Sequence, residues 1–252
     1  MSSATTALVT GAGRGIGAAT AVRLSQAGHR VVLTARSTDQ LEAVAARCPG
    51  QTVTVSADMA EPGSADQVFE VAEREYGPVD VLVLNAGGAT SDPIARITDA
   101  DWQQQLDLNL TAPFRCLRRA IPRMKERGWG RVVAVASVAA KTGEPYIAAY
   151  TAAKHGLLGV VRSAAAELAG SGITVNAVCP GYVDTPMTDR SVAMIAERTG
   201  KTEAQARAVL AGKQPIGRLI TVDEVADAIM WCVDNSGVTG QGINVDGGAI
   251  QS

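Results

Sequence analysis

Short apolar runs rich in β-branched residues alternate with longer, helix-prone stretches along the whole chain. Seven runs predict strands, at residues 7–10, 30–35, 52–55, 79–84, 131–136, 173–178 and 242–245. Six stretches between them predict helices, at residues 15–27, 38–47, 64–76, 99–126, 147–169 and 222–234. Largely apolar strands that are separated by helices are typical of a parallel sheet covered on both faces. The pattern therefore predicts an α/β fold with a doubly wound, seven-stranded parallel sheet.

Single residues in this pattern indicate where helices begin, end or break. Gly28 is the predicted end of the first helix, because glycine adopts the left-handed conformation that is common just beyond a helix. Asp99 is the predicted cap of the fourth helix, and Pro113 predicts a kink or a break within it. Residues 186–215 are long, polar and helix-prone, so we interpret them as an insertion between a strand and the next helix.

Composition narrows the classes of function. The chain has 252 residues, of which 46% are hydrophobic and 19% charged, and residues 1–252 are predicted to form a single domain around one large core. A net charge of −2, a longest basic run of two arginines and 4% aromatic residues argue against nucleic-acid binding. No apolar stretch reaches about 18 residues and no basic and apolar leader is visible, so neither a membrane span nor a secretory signal is expected.

Cysteine and histidine usage argues against a metal site and a disulfide framework. The four cysteines lack CxxC spacing, and the chain has two histidines. We therefore expect reduced thiols, no bound metal and a cytoplasmic location. Few side chains titrate near neutrality in such a chain. Proton transfer would have to use a histidine, a carboxylate, or a tyrosine, lysine or cysteine whose pKa is shifted.

A glycine-rich turn follows the first predicted strand and opens the first predicted helix. It reads Thr10-Gly-Ala-Gly-Arg-Gly-Ile-Gly17, which gives glycines the spacing GxxxGxG. Glycine permits a tight turn and a close approach of the backbone to phosphate, whose charge the helix N-terminus attracts. The Gly-Lys-Ser/Thr of a P-loop is missing. The turn therefore predicts a dinucleotide site, with a glycine turn that binds nothing as the alternative.

Two arginines bear on which dinucleotide is bound. Arg36 follows the second predicted strand, where dinucleotide folds carry either an acid for a ribose 2′-hydroxyl or an arginine for a 2′-phosphate. Arg14 lies within the glycine turn and adds a second positive charge. The pair favours NADP(H) over NAD(H), and the alternative is that both are solvated surface residues.

A tyrosine and a lysine lie four residues apart in a predicted helix. This spacing places Tyr150 and Lys154 on one face of the helix. The ordinary tyrosine pKa of about 10 is too high for acid–base work at neutral pH, and a neighbouring ammonium lowers it. Ser137 ends the fifth predicted strand, where its hydroxyl could hold a carbonyl oxygen against Tyr150. These three residues predict a carbonyl-handling site.

Together these motifs resemble the short-chain dehydrogenase/reductase family over residues 5–249. In order along the chain, the resemblance rests on the glycine turn 10–17, Asp58, Asn85-Ala86-Gly87, Asn109, Ser137, Tyr150-x-x-x-Lys154 and Pro180–Thr185. Two positions depart from the family pattern. Leu84 replaces an asparagine that stabilises the sheet, which puts one structural hydrogen bond in doubt, and Ala153 replaces a frequent serine. The resemblance implies a Rossmann-like fold, an oxidoreductase and a homotetramer in which helices 99–126 and 147–169 pair between subunits.

The resemblance assigns catalytic roles to four residues. Tyr150 would give a proton to the carbonyl oxygen during reduction, and Ser137 would hydrogen-bond that oxygen. Lys154 would bind the nicotinamide ribose and lower the pKa of Tyr150. Asn109 would hold a water molecule that continues the proton relay. Neither His29 nor His155 is needed in this scheme.

The resemblance also implies a set of cofactor contacts. Asp58 and the backbone of Met59 would contact adenine, Asn85 and Gly87 would line the adenosine ribose, and Thr185 with the Val183 backbone would bind the carboxamide. The full predicted set is Gly11, Arg14, Gly15, Ile16, Gly17, Arg36, Asp58, Met59, Asn85, Ala86, Gly87, Tyr150, Lys154, Pro180, Gly181, Val183 and Thr185.

The substrate pocket is predicted from residues 88–98, 138–147 and the insertion 186–215, which we expect to close as a helical lid. Predicted substrate contacts are Ser137, Ala139, Lys141, Tyr146, Tyr150 and Met187. The lid sequence resembles those of 3-oxoacyl-thioester reductases and of 3-hydroxybutyrate dehydrogenases. The latter have a histidine soon after the catalytic serine, and this chain has none after Ser137. We therefore expect reduction of a 3-oxoacyl thioester or a related ketone to a secondary alcohol.

Two alternatives to this ketoreductase remain open. One is an NAD-dependent dehydrogenase of secondary alcohols, 3-hydroxyacyl compounds or 3-hydroxybutyrate. The other belongs to a different class: a non-catalytic NADP(H)-binding protein or a structural subunit. The expected partners are a small-molecule substrate and further copies of the chain, with no nucleic acid and no membrane.

Overall fold

A parallel sheet of seven strands runs through the computed structural model, which describes residues 5–251. The strands are β1 (Thr6–Thr10), β2 (Arg30–Ala35), β3 (Thr52–Ser56), β4 (Val81–Leu84), β5 (Gly130–Val135), β6 (Ile173–Pro180) and β7 (Gly242–Val245). Their order across the sheet is β3-β2-β1-β4-β5-β6-β7, and every neighbouring pair is parallel. This confirms the predicted Rossmann-like α/β fold. The strand order reverses between β1 and β4, and ligands bind at such switch points.

Helices cover both faces of the sheet. They are α1 (Gly15–Gln26), α2 (Thr38–Ala45), α3 (Ser64–Tyr76), α4 (Asp99–Leu106), α5 (Ala112–Arg127), α6 (Ala148–Glu167), α7 (Pro186–Thr199), α8 (Glu203–Gly212) and α9 (Val222–Asp234). Side chains alternate between the faces along each strand, so Leu8 of β1 joins one apolar core and its neighbours join the other. Helices α3, α5 and α6 pack on the first core, and α1, α2 and α9 on the second. Burial on both faces explains why the strands read as continuous apolar runs.

The predicted helix 99–126 is two helices joined by a π-helical turn, Asp107–Thr111. Pro113 lies just after this turn, at the start of α5, and the residues on both sides of the junction keep helical φ and ψ, so the helix changes its hydrogen-bonding pattern there without ending. The cap of α4 is Thr98 and not Asp99. The Thr98 side chain accepts from the Asp101 N–H while the Asp101 carboxylate accepts from the Thr98 N–H, which forms a capping box.

Residues 186–215, which we call the lid segment, contain α7 and α8. These helices pack on each other through a small apolar cluster of Val192, Ala206 and Leu210, separate from the two main cores. That the lid segment closes over a substrate stays a prediction. None of the helices within residues 5–251 is long and apolar enough to cross a membrane.

Candidate active site

A cavity of about 880 Å³ opens at the carboxyl ends of the central strands and extends beneath the lid segment. Predicted cofactor residues that line it are Gly11, Arg14, Gly15, Ile16, Arg36, Asp58, Met59, Asn85, Ala86, Gly87, Tyr150, Lys154, Pro180, Gly181, Val183 and Thr185. Predicted substrate residues that line it are Ser137, Ala139, Tyr146, Tyr150 and Met187. The fold thus brings most of the predicted site together, from positions distant in the chain.

The glycine turn presents the N-terminus of α1 to this cavity. Arg14, the residue before α1, is extended, and within residues 5–251 no side chain caps the helix and no acid occupies its first turn. The first N–H groups are therefore available to an anion. Gly11 has a φ of +66°, and a Cβ there would come within 2.9 Å of the Ala86 backbone. The turn fits a dinucleotide phosphate, which needs an uncapped helix and a close backbone.

Gly17 does not line the cavity, and its predicted contact with the cofactor stays a prediction. A Cβ on Gly17 would lie 2.3 Å from the Gly11 carbonyl oxygen and 2.4 Å from Asn85 Nδ2. The residue therefore lets the first turn of α1 pack against the glycine turn.

Hydrogen bonds join the glycine turn to the loop after β4. Asn85 Nδ2 donates to the carbonyl oxygens of Thr10 at 2.9 Å and Gly11 at 3.0 Å. The Thr10 hydroxyl accepts from the backbone N–H groups of Asn85 and Ala86, both at 3.0 Å. Leu84, the departure from the family pattern, is buried in an apolar core. The loop is thus held without an asparagine at position 84.

Arg36 lies at the far end of the cavity, directly after β2. Its Nη1 is 3.7 Å from Oδ2 of Asp58, which follows β3, and both side chains remain partly accessible. Ser37 beside it caps α2 by accepting from the Gln40 N–H at 3.4 Å. Arg14 lines the same cavity and is exposed. Two arginines therefore border the part of the cavity nearest α2.

Ser137, Tyr150 and Lys154 meet at the other end of the cavity. Tyr150 and Lys154 lie one turn apart on α6, with Lys154 Nζ 5.5 Å from the centre of the Tyr150 ring. Lys154 is buried and Nζ donates to the Val135 carbonyl oxygen at 2.8 Å. The Ser137 hydroxyl lies beside the Tyr150 phenol and acts to lower its pKa. The geometry places a proton donor and a second hydroxyl at one point.

Burial governs the protonation of this pair. It raises the pKa of Tyr150 to about 12, against the opposing effect of the Ser137 hydroxyl. Burial also lowers the pKa of Lys154 to about 8. A lysine with that pKa is largely neutral at the pH where such a phenol ionises, so it supplies little charge to assist ionisation. The expected lowering of the Tyr150 pKa is therefore not found, and Tyr150 holds its proton at neutral pH.

Asn109 is fully buried in the π-helical turn and lies behind the cavity wall. Its Oδ1 accepts from the Gly88 N–H at 3.2 Å, and Nδ2 donates to the Gly88 carbonyl oxygen at 2.9 Å. Nδ2 also lies 3.3 Å from Oε1 of Gln105, a buried polar residue that the sequence reading missed. The side-chain amide thus orders the loop around Gly88, and its predicted contact with a water molecule stays a prediction.

Lys141 is the predicted substrate contact that the fold directs elsewhere. It does not line the cavity, because its Nζ donates at 2.7 Å to the carbonyl oxygen of Gly242 on β7. The sequence could not predict this contact, because the two residues are 101 positions apart in the chain. Residues of the lid segment that line the cavity instead include Arg190 and Met194 of α7 and Lys213, just beyond α8.

The start of the lid segment is fixed to the sheet. Thr185 caps α7 by accepting from the Thr188 N–H at 3.4 Å, and the Thr188 hydroxyl donates to the Val183 carbonyl oxygen. Arg207 of α8 pairs with both Asp184 and Asp189, on either side of Thr185. This arrangement keeps Val183 and Thr185 at the cavity wall.

Metal chemistry has no site among residues 5–251, where no three His, Cys, Asp or Glu side chains are grouped to hold an ion. Cys48, Cys116, Cys179 and Cys232 are free thiols.

Comparison with known proteins identifies the family. The family model described as short chain dehydrogenase matches residues 5–196. The chain belongs to the short-chain dehydrogenase family. It is accordingly an oxidoreductase that uses a nicotinamide cofactor.

Relatives and solved structures cover nearly the whole chain. D-beta-hydroxybutyrate dehydrogenase of Rhizobium meliloti (strain 1021) is 37% identical, over 96% of this chain and 97% of its own. 3-Oxoacyl-[acyl-carrier-protein] reductase of Synechocystis sp. (strain ATCC 27184 / PCC 6803 / Kazusa) is 37% identical, over 97% and 96%. A variant of actinorhodin polyketide ketoreductase solved with NADPH superposes with a TM-score of 0.94 at 35% identity, covering 98% of this chain and 97% of that one. This family membership confirms the predicted class of enzyme and its resemblance to ketoacyl reductases.

Proposed function

We propose that this short-chain dehydrogenase reduces a 3-oxoacyl thioester or a related ketone to a secondary alcohol with NADP(H). The observation that carries the proposal is the meeting of Ser137, Tyr150 and Lys154 at one end of a cavity that Arg14 and Arg36 border at the other. The first group handles a carbonyl, and the two arginines suit a 2′-phosphate.

The chain's own residues handle the proton and the orientation of the substrate. Bound NADPH would supply the hydride to the carbonyl carbon. Tyr150 holds its proton at neutral pH and would donate it to the carbonyl oxygen, while the Ser137 hydroxyl would keep that oxygen in place. Lys154, fixed by Val135, would bind the ribose hydroxyls. The uncapped N-terminus of α1 would hold the pyrophosphate.

The preference for NADP(H) rests on charge at the α2 end of the cavity. Arg36 and Arg14 carry positive charges there, while Asp58 is 3.7 Å from Arg36 and partly balances it. A 2′-phosphate brings up to two negative charges and would outcompete one carboxylate for the guanidinium groups. The solved ketoreductase with NADPH has the same fold, which supports this choice.

The substrate end of the cavity favours an uncharged, partly apolar ketone. Its wall includes Leu108, Met187, Met194 and Ile195, which suit an acyl chain. The reductase of 3-oxoacyl groups among the relatives supports this substrate class. A second candidate, a 3-hydroxybutyrate-type dehydrogenase, is favoured by the relative of that activity. The absence of histidine between Ser137 and Tyr150 weighs against it.

A substrate panel tests the proposed function. Purified protein is assayed by NADPH absorbance with a 3-oxoacyl thioester, its ester, cyclic ketones and 3-hydroxybutyrate with NADP⁺ or NAD⁺. We expect reduction of the thioester with a kcat/KM for NADPH well above that for NADH.

Tyr150→Phe should remove activity and leave NADPH binding, measured by calorimetry, unchanged, because the phenol proton is lost while the α1 site is intact. Preferred use of NAD⁺ with 3-hydroxybutyrate would favour the second candidate.

The same experiment separates an enzyme from a non-catalytic subunit. A protein that binds NADPH and reduces none of the ketones would be a binding or structural protein. The homotetramer and the cytoplasmic location belong to the proposal as well, and rest on the family resemblance and on cysteine usage.

A further inference from the structure

An ion pair joins the lid segment to the opposite wall of the cavity. Lys213, just beyond α8, places Nζ 2.9 Å from Oε2 of Glu144 in the loop before α6. Nζ also donates to the Tyr182 hydroxyl at 3.2 Å and lies 5.3 Å from the centre of that ring. All three side chains line the cavity at its substrate end.

The backbone on which Lys213 stands is held rigidly. The side chain of Gln214 is buried, its Oε1 accepts from the Tyr182 N–H at 2.9 Å, and its Nε2 donates to the Arg218 carbonyl oxygen at 2.6 Å. A Cβ on Gly181 would lie 2.2 Å from Gln214 Oε1, so glycine at 181 permits this bond. Lys213 therefore starts from a fixed point and reaches across the cavity to Glu144.

The charges of the pair compensate one another where a substrate would lie. Burial lowers the pKa of Lys213, but the hydrogen bonds from its ammonium to Glu144 and Tyr182 outweigh burial and raise the pKa above its ordinary value. Lys213 is thus a cation at neutral pH, and two of its three N–H donors are taken by Glu144 and Tyr182. Arg190 of α7 also lines the cavity, and because Arg190 and Lys213 are both exposed, water screens both charges.

We propose that Glu144 determines substrate specificity: by holding Lys213, its carboxylate makes the cavity accept neutral 3-oxoacyl derivatives and disfavour the free 3-oxo acids. The inference rests on the proposed reduction of 3-oxoacyl compounds and narrows its substrate class. The carboxylate of a free acid has to compete with the Glu144 carboxylate for the Lys213 ammonium. The carboxylate that loses this competition is left without a cation and beside another negative charge. An ester or thioester carries no charge at that position and leaves the ion pair intact.

The test compares one neutral and one charged probe with the same 3-oxo core. Methyl acetoacetate and acetoacetate are assayed with NADPH for wild type, Glu144→Gln and Lys213→Met. Glu144→Gln frees the Lys213 ammonium for the acid, so the ester-to-acid ratio of kcat/KM should fall, by up to about fivefold for a partly exposed charge pair, mainly through a lower KM for the acid. Lys213→Met leaves Glu144 alone in the wall, so the ratio should rise.

The matched control removes an ion pair of the lid segment outside the cavity wall. Asp189→Asn weakens the contact between α7 and Arg207, and neither residue lines the cavity. Its ester-to-acid ratio should equal that of wild type. A ratio that is unchanged in Glu144→Gln and Lys213→Met, or that shifts equally in Asp189→Asn, would overturn the inference. If the wild-type protein reduces neither the ester nor any thioester, the proposed function itself fails.

Discussion

Lys154 illustrates how burial and function oppose each other in one side chain. Its ammonium is packed beneath the cavity and donates to the Val135 carbonyl oxygen, and burial lowers its pKa to about 8. An unfolded lysine keeps its proton to a pH of about 10.4. At neutral pH, burial of the protonated Lys154 side chain therefore lowers the free energy of unfolding. A site that buries an ammonium is less stable than an apolar core of the same shape.

This difference in pKa predicts how stability depends on pH. Between pH 8 and about 10 the unfolded state binds more protons at Lys154 than the folded state, so this residue makes stability rise with pH, by at most about 3 kcal/mol in all. Tyr150 acts in the opposite sense above pH 10, because its pKa of about 12 is higher in the folded state. Lys154→Met removes the lysine effect. We expect the free energy of unfolding of this variant minus that of wild type to be largest at pH 7 and to decline towards pH 9.5, as measured by urea titration. A difference that is constant with pH would contradict the low pKa.

At the scale of elements, the nucleotide site depends on how closely α1 approaches the glycine turn. The sequence motif predicted the turn and the helix, because both are properties of consecutive residues. It did not reveal that Gly17 serves packing while Gly11 and Gly15 line the cavity. That division depends on Asn85, which comes from another part of the chain and hydrogen-bonds the turn.

Gly17→Ala tests this close approach. A methyl group would overlap the Gly11 carbonyl oxygen, which belongs to the backbone and cannot move aside cheaply. We expect a loss of about 1–3 kcal/mol in the free energy of unfolding, together with weaker NADPH binding by calorimetry. The control is Gly212→Ala at the end of α8, where nothing lies within 4 Å of the added methyl group. Equal stabilities of the two variants would refute the packing function of Gly17.

Helix boundaries were predicted less well than helix existence. One helix was expected at 99–126, and two helices flanking a π-helical turn are found. Pro113 signalled a break, but the π-helical turn that buries Asn109 has no marker in the sequence. Trp102 and Trp231 are large and apolar, yet they are 41% and 48% exposed. Hydrophobic type alone does not say which face of a helix meets the sheet.

At the scale of the whole molecule, residues are exposed on the helices that are predicted to pair between the subunits of a homotetramer. Phe114 of α5 is 44% exposed, and Gly159 on α6 is exposed with open space around it. Helices α5 and α6 fall within the two stretches that the family resemblance pairs between subunits. Small exposed residues on α6 permit the close approach of a second helix.

The oligomeric state is testable by sedimentation. We expect wild type to sediment as four chains at micromolar concentration. Gly159→Arg places a long charged side chain on the exposed face of α6, where the single chain has room for it, so its mass should fall to two chains or one with the fold intact by circular dichroism. A monomeric wild type, or a variant that remains a tetramer, would contradict the predicted pairing.

The sequence by itself determined the fold class, the glycine turn, the Tyr150–Lys154 pair and the class of enzyme. The strands, the helices, the glycine turn and the Tyr150–Lys154 pair depend on residues that are close in the chain, where periodicity and spacing fix the geometry. The class of enzyme came from the resemblance of motifs over residues 5–249 to a known family. Only the tertiary structure decided what depends on distant partners. It turned Lys141 towards Gly242, buried Lys154 enough to lower its pKa, and joined Glu144 to Lys213 across the cavity. Desolvation and long-range contacts exist only after the chain has packed, so spacing along the chain could not predict them.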